Sequence, residues 1–153
     1  MTTRDATADE AAIRELYRRV LAGWNARDAE AFAAPFAEDG DTIGFDGSRH
    51  AGREDIATTI GGIFAHHPTG KYVGMVRRVR FIAPEAAILD AVAGIIPAGQ
   101  SDIRPELNAV QTMVVAKAAD GWRIALYQNT PAQYHGRPEL AEALTEELRG
   151  LLA

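Results

Sequence analysis

The sequence contains no cysteine. This absence excludes a disulfide framework, a catalytic thiol and a metal site built from thiolates. Long apolar runs are also missing: no stretch approaches the roughly eighteen consecutive apolar residues that a membrane-spanning helix needs, and the first residues lack the apolar core of a signal peptide. We therefore expect a cytoplasmic protein with no membrane partner.

Basic residues are too few to favour binding to nucleic acid. The chain has 16 Lys and Arg residues against 21 Asp and Glu residues, a net charge of −5 at pH 7. The phosphate backbone repels such a net-acidic surface. The sequence also lacks a glycine-rich phosphate loop and a nucleophile elbow, and no metal-ligand spacing relates His50, His66, His67 and His135. We expect no nucleic-acid partner, no cofactor and no bound metal.

Apolar residues are abundant, at 47% of the 153 residues. This fraction is enough to fill the core of one domain over residues 1–153. The periodicity of the apolar residues is helical in the first half and changes to alternating or continuous runs after Pro68. Helices followed by strands predict an α+β fold.

Three helices are predicted in the first half. Thr7 and Glu10 have the spacing of a capping box, and an apolar stripe at the helical period follows them as far as Trp24. Asp28 is expected to cap a short second helix. The third helix is predicted over about residues 53–65, where apolar residues share one side.

Strands dominate the second half. They are predicted at about residues 42–45, 72–82, 86–96, 107–118 and 122–130. A final amphipathic helix is predicted to begin near Pro138, with leucines on one face at Leu140, Leu144, Leu148 and Leu151.

Five short segments carry a resemblance to a known superfamily. They are Trp24-Asn25-x-Arg27-Asp28-Ala29-Glu30-Ala31-Phe32, Phe36-Ala37-Glu38-Asp39-Gly40-Asp41, Gly52-Arg53-Glu54-Asp55-Ile56, Asp120-Gly121-Trp122-Arg123-Ile124 and Gln128-Asn129-Thr130. Together they resemble the SnoaL-like branch of the nuclear-transport-factor-2-like superfamily and, within it, the SgcJ/EcaC family. The resemblance implies a cone, in which a curved antiparallel sheet wraps around the three N-terminal helices and leaves a pocket open at one end.

The resemblance leaves two classes of function open. Superfamily members include isomerases, cyclases, dehydratases and pure binding modules, and SgcJ/EcaC-like proteins occur beside polyketide and enediyne biosynthesis. One possibility is a cofactor-free enzyme that moves a proton or guides cyclisation of an apolar natural product. The other is a noncatalytic module that binds such a ligand or assembles with a biosynthetic partner. Both predict an apolar small-molecule ligand.

The mechanism of ketosteroid isomerase does not transfer to this chain. That enzyme uses a carboxylate base opposite a tyrosine and a protonated aspartate. The shared landmarks place the base at Gly44, the tyrosine at Val20 and the aspartate near Met113. None of these three side chains can move a proton or donate a hydrogen bond.

Seven residues are predicted to contact the ligand: Tyr17, Trp24, Phe64, Asn108, Gln111, Met113 and Gln128. Tyr17 and Trp24 lie one helical turn on either side of Val20 and should reach the interior of the cone, where a packing role is the alternative. Asp46 and Tyr17 are the catalytic candidates. For Asp46 the alternative is an ordinary turn residue before Gly47.

The predicted orientation of Gln128 depends on strand parity. Trp122, Ile124 and Gln128 share one face of the last strand, and this face is more apolar than the face that carries Tyr127. We therefore expect Gln128 to point into the cone and Tyr127 to point outward. A bulge could bring either Asn108 or Gln111 inside, and for both residues structural hydrogen bonding remains an equal alternative to ligand contact.

Asp90 interrupts an apolar strand, beside a strand that carries Arg77, Arg78 and Arg80. A cross-strand ion pair is the predicted reason, with a catalytic carboxyl as the alternative. The outer face of the sheet, with Val76, Arg78 and Tyr127, is expected to pair two chains into a homodimer. The C-terminal helix could instead cover that face within one chain or reach across to a second chain.

Overall fold

The computed structural model describes residues 5–152. Its helices are α1 (Ala6–Asn25), α2 (Ala29–Ala33), α3 (Arg53–His66) and α4 (Pro138–Arg149). Its strands are β1 (Phe36–Ile43), β2 (Arg49–Ala51), β3 (Lys71–Ala83), β4 (Ala86–Ile96), β5 (Ala109–Ala118) and β6 (Gly121–Pro131), in the spatial order β2-β1-β6-β5-β4-β3. This curved six-stranded sheet wraps around α1–α3, which confirms the predicted α+β cone.

The first strand is longer than predicted and runs parallel to one of its neighbours. The segment over 42–45 is only the end of β1, which begins at Phe36 and pairs parallel to β6, whereas the remaining pairings in the sheet are antiparallel. Gly40 permits this close approach, because a Cβ there would lie 2.5 Å from the carbonyl oxygen of Ile124. Three-residue β2 was not predicted, since a strand this short shows no alternation.

The predicted cap of the first helix is wrong, and the predicted cap of the second helix is confirmed. The predicted capping box of Thr7 and Glu10 is wrong: α1 begins at Ala6, and the Asp5 carboxylate accepts a hydrogen bond of 3.0 Å from the backbone N–H of Ala8. An aspartate one position before the helix satisfies the free N–H groups directly, which leaves Thr7 inside the first turn. The cap by Asp28 is confirmed, with a bond of 3.0 Å from the N–H of Ala31.

The Trp24-Asn25-x-Arg27 segment fastens the end of α1 to two other elements. The indole N–H of Trp24 donates to the carbonyl of Gly70 at 3.0 Å, and the Asn25 amide exchanges two bonds with the backbone of Tyr72 at 3.0 and 2.8 Å. The Arg27 guanidinium donates to carbonyls at the end of α3, where positive charge is favourable. These hydrogen bonds connect the C-terminal end of α1 to the start of β3 and to the end of α3.

Helix α4 lies on the convex face of its own sheet. Leu144 and Leu148 are 3% and 0% exposed and pack with Val92 and Ile103. Two ion pairs flank the contact, Arg77 with Glu147 and Arg149 with Asp102. The helix therefore covers this face within one chain, over the ends of β3 and β4, while Leu140 and Leu151 remain exposed.

Two residues assigned to the convex face lie elsewhere. Val76 packs against the core inside the cone, and Tyr127 is 2% exposed in the same core. A bulge between Val76 and Arg78 changes the parity of β3.

The cross-strand pair predicted for Asp90 is confirmed. Its partner is Arg78, at 3.2 Å. Their side chains are 60% exposed for Arg78 and 33% exposed for Asp90. Water screens a pair of this kind, so it contributes at most about 1 kcal/mol. Asp90 is therefore not an expensive buried charge.

Candidate functional site

A cavity of about 480 Å³ opens at one end of the cone, between α1–α3 and the loop that joins β1 to β2. This volume lies within the range of about 300–1,000 Å³ that is usual for small-molecule sites. Apolar side chains form most of its wall: Trp24, Phe32, Phe45, Ile60, Ile63, Tyr72, Ile95 and Leu107. Its polar residues are Thr42, Asp46, Ser48, His50, Tyr127 and Asn129.

A second, larger groove lies outside the cone. It measures about 1030 Å³ and runs between α2 and the start of α3, beside Glu30, Glu38 and Glu54. Because it is wide open to solvent and lined by charged and small residues, it cannot enclose an apolar ligand. The smaller cavity inside the cone is the better site.

Aromatic side chains make the cavity wall rigid. The Trp24 ring centroid lies 6.0 Å from that of Phe32, 5.2 Å from Phe64 and 5.5 Å from Tyr72, the last two in edge-on geometry. Because the indole N–H is already bonded to Gly70, Trp24 offers a ligand its ring face alone.

The loop between β1 and β2 supplies the rim. The Asp46 carboxylate accepts bonds from the N–H and the hydroxyl of Ser48, at 2.9 and 3.1 Å. These two bonds from Ser48, with a smaller contribution from His50, lower the pKa of Asp46. A carboxylate with a lowered pKa is a weak base. The geometry therefore favours the turn role over the catalytic role for Asp46.

His50 is a rim residue that sequence reasoning missed as a site residue. It sits opposite Thr42 in the β1–β2 ladder, so both side chains belong to the cavity face. Its Nδ1 atom lies 3.8 Å from a carboxylate oxygen of Asp55 at the start of α3. The sequence shows no alternating pattern around His50, because β2 has only three residues. Imidazole is the side chain that exchanges a proton most readily near neutral pH.

A chain of hydrogen bonds crosses the floor of the cavity. The hydroxyl of Tyr17 donates to Gln111 Oε1 at 2.6 Å. Gln111 Nε2 donates to the hydroxyl of Tyr127 at 2.6 Å and to Oδ1 of Asn129 at 2.7 Å. Gln111 has no exposed surface, and it joins α1 to both central strands. Its polar character is satisfied by this network, so it does not itself line the cavity.

Burial keeps the phenols in the cavity wall and in the core below it protonated. Loss of hydration raises the pKa of Tyr127 well above its usual value, and the same cause raises the pKa of Tyr17. Burial also raises the pKa of Tyr72 to about 12. At neutral pH these hydroxyls are therefore donors of hydrogen bonds and not bases.

The orientation predicted for Gln128 is wrong. A bulge at Ala125, where Val114 pairs with Leu126 but Val115 pairs with Ile124, reverses the parity of β6. Tyr127 and Asn129 consequently face the cavity, and Gln128 lies on the opposite face. No periodicity in the sequence marks this bulge.

The other predicted ligand contacts lie at different depths. Tyr17, Phe64 and Met113 are buried in the core below the cavity, whereas Trp24 lines it directly. Asn108 is turned toward α4, where its amide donates to the Thr145 hydroxyl at 2.9 Å. The structure thus places Asn108 outside the cavity.

The positions that correspond to the isomerase machinery are apolar. Gly44 lines the cavity but has no side chain, while Val20 and Met113 are fully buried in the core. Within residues 5–152, no group of three or more His, Asp or Glu side chains is arranged to hold a metal ion. Nor is any helix in the described part of the chain long and apolar enough to cross a membrane.

Comparison with known proteins identifies the family. The model of the SnoaL-like domain matches residues 5–128. The chain belongs to the SnoaL-like domain family. No curated protein sequence matches it. Membership of the narrower SgcJ/EcaC family stays a prediction.

Solved structures place the SnoaL-like chain among known folds. A Nostoc punctiforme domain of unknown function with a cystatin-like fold is 33% identical, with a TM-score of 0.82 over 91% of this chain and 86% of that one. A Shewanella oneidensis NTF-2 like protein of unknown function is 17% identical, with a TM-score of 0.66 over 79% of this chain and 98% of that one.

A ketosteroid isomerase-like protein from Erwinia carotovora atroseptica is also similar. It is 18% identical, with a TM-score of 0.63 over 80% of this chain and 95% of that one. Likeness at this level of identity shows the shared fold alone. Function must be argued from the cavity itself.

Proposed function

We propose that the protein binds a flat, largely apolar small molecule in the cavity of the cone, and that this molecule belongs to natural-product biosynthesis of the polyketide or enediyne type. One observation carries the proposal: an aromatic-walled cavity of about 480 Å³ ends in a small set of polar groups. Such sites gain affinity from apolar burial and orientation from a few hydrogen bonds. The similarity to SgcJ/EcaC-like proteins supports the assignment to natural-product chemistry.

Binding is expected to change the fluorescence of Trp24, because its ring forms part of the cavity wall. The test is a titration with fluorene, 2-naphthol and 1-anilinonaphthalene-8-sulfonate. The matched variants are Trp24→Phe and Trp122→Phe, since Trp122 is buried in the core and hydrogen-bonded to Asp9 at 2.9 Å. The response should persist in Trp122→Phe and disappear in Trp24→Phe. A wild-type protein that binds none of the probes by fluorescence or calorimetry would contradict the proposal.

Catalysis without a cofactor is the more specific form of this proposal, and His50 supports it. The imidazole lines the cavity, and a carboxylate oxygen of Asp55 lies 3.8 Å from its Nδ1 atom. A base next to an apolar cavity can remove a proton from carbon in a bound ligand and return it elsewhere, as an isomerisation or cyclisation requires.

The base can be tested with 5-nitrobenzisoxazole, which opens to a coloured phenolate when its carbon-bound proton is removed. We expect the wild-type rate at saturation to exceed that of His50→Gln by about a hundredfold, the lower end of the range for a positioned base. His66→Gln, the same change at an exposed histidine outside the cavity, serves as the control and should retain the wild-type rate. Equal rates for wild type and His50→Gln would remove His50 as a base and favour the noncatalytic alternative.

The alternative is a noncatalytic binding or assembly module that acts as a homodimer. It is supported by the apolar residues at all three positions that correspond to the isomerase machinery. The part of the convex face that α4 leaves uncovered includes half-buried Val114 and Leu126, which suit pairing with a second copy. In this alternative the cavity shields a ligand and the sheet joins two chains.

A further inference from the structure

The hydrogen-bond network beneath the cavity has a defined direction. A primary amide offers one carbonyl oxygen and two N–H protons, and Gln111 uses all of them. Its oxygen accepts from the Tyr17 hydroxyl at 2.6 Å, and its nitrogen donates to Tyr127 and Asn129 at 2.6 and 2.7 Å. Each hydrogen bond in the network therefore has its donor on the side of α1 and its acceptor on the side of the cavity.

Tyr127 and Asn129, at the cavity end of the network, therefore still have protons to donate. Tyr127 accepts through its hydroxyl oxygen and keeps its own O–H proton. Asn129 accepts through its carbonyl and also donates to the Tyr127 hydroxyl, which leaves its second N–H proton for a ligand. Tyr127 and Asn129 line the cavity, whereas Tyr17 and Gln111 do not. The unused protons thus belong to the two members of the network that a ligand can reach.

The opposite orientation of the Gln111 amide is energetically worse. With the amide reversed, its nitrogen would face the Tyr17 hydroxyl and its oxygen would face Tyr127 and Asn129. One N–H of Gln111 and the O–H of Tyr17 would then lack an acceptor. Both groups lie in the core, away from the cavity, where an unmatched donor is costly. The observed orientation leaves no such donor in the core.

We propose that Tyr127 and Asn129 form a donor pair that binds an acceptor oxygen of the ligand, so that the ligand is a carbonyl compound of the ketone or quinone class. This inference rests on the proposed function and specifies its ligand. Successive bonds that point the same way polarise one another, so the Tyr127 proton is a stronger donor than that of an isolated phenol. The apolar wall accounts for the remaining surface of the ligand.

Thr42 provides a contrast within the same cavity. It also lines the cavity, but its hydroxyl donates to the backbone carbonyl of Tyr127 at 3.1 Å. Its proton is therefore used within the protein and is not offered to a ligand.

The test compares 9-fluorenone with fluorene, two flat molecules of the same shape that differ by one carbonyl oxygen. We expect wild type to bind fluorenone about tenfold more tightly than fluorene, the effect of one or two net hydrogen bonds. The infrared carbonyl band of bound fluorenone should lie at lower frequency than in an alkane solvent. In Tyr127→Phe the preference should fall close to unity and most of the band shift should be lost. Tyr134→Phe makes the same change at a residue outside the cavity and should retain both.

Three results would overturn the inference in distinguishable ways. Equal affinity for fluorene and fluorenone with an unshifted carbonyl band would reject the donor pair and leave the binding function intact. A preference that survives in both Tyr127→Phe and Asn129→Ala would place the donor elsewhere. Failure of wild type to bind either probe would reject the inference together with the proposed function. Because the wild-type band position needs no variant, the test holds even if Tyr127→Phe does not fold.

Discussion

Gly23→Ala is expected to lower the free energy of unfolding by about 3 kcal/mol. An alanine Cβ at this position would lie 2.5 Å from the backbone nitrogen of Phe32 and 2.8 Å from its Cα. Backbone atoms cannot move aside as a side chain does, so α2 would have to shift as a whole. The better helix propensity of alanine offsets only about 1 kcal/mol of this cost. Urea unfolding measures the change.

Gly62→Ala is the matched control, since Gly62 also lies within a helix but a Cβ there meets no atom within 4 Å. It should stabilise the protein by roughly 0.5–1 kcal/mol through helix propensity alone. Phe32 lines the cavity, so Gly23→Ala should also weaken fluorene binding. If the two variants were equally stable, the close packing of α1 on α2 would not exist in solution.

Leu148→Ala is expected to lower the free energy of unfolding by about 3 kcal/mol. Leu148 has no exposed surface and packs between α4 and the convex face, where a Cβ added to Gly94 would lie only 3.2 Å from its Cδ1 atom. Truncation leaves a hole that a tightly packed helix and sheet cannot close. Thermal or urea unfolding gives the magnitude.

Leu151→Ala tests whether position in the fold, and not leucine content, causes this loss. Leu151 is 42% exposed, so its truncation should change stability by less than about 0.5 kcal/mol. Ligand affinity should be unaffected by either variant, because α4 and the cavity lie on opposite faces of the sheet. A small effect of Leu148→Ala would mean that α4 does not pack on its own chain.

The elements that could be predicted from sequence are those with a strong local signal. The apolar stripe of α1, the stop at Pro68 and the long alternating strands each involve many residues with one period, so their positions agree closely with the structure. Asp28 was identified as a cap because its chemistry is local. The first cap was missed because Asp5 and Thr7 are both competent and only the helix start decides between them.

The candidate site was less predictable, because two of its parts depend on irregularities. The bulge at Ala125 turns Tyr127 and Asn129 inward and Gln128 outward, which reverses the orientation that alternation predicts. His50 joins the site through a strand of three residues, too short to show a pattern. The hydrogen bond from Tyr17 to Gln111 joins residues far apart in the chain, so its direction could not be predicted from the local sequence.

By itself, the sequence determined the α+β order of elements, the absence of thiol chemistry and the loss of the isomerase residues at Gly44, Val20 and Met113. The first two conclusions need only residue identities and local periods, which the chain carries without folding. The third follows from the resemblance to the superfamily. Only the tertiary structure decided which polar groups meet in the cavity and which protons they offer there. Side-chain direction in a sheet reverses with a single inserted residue, and hydrogen-bond direction depends on every partner in a network, so neither can be read from one strand alone.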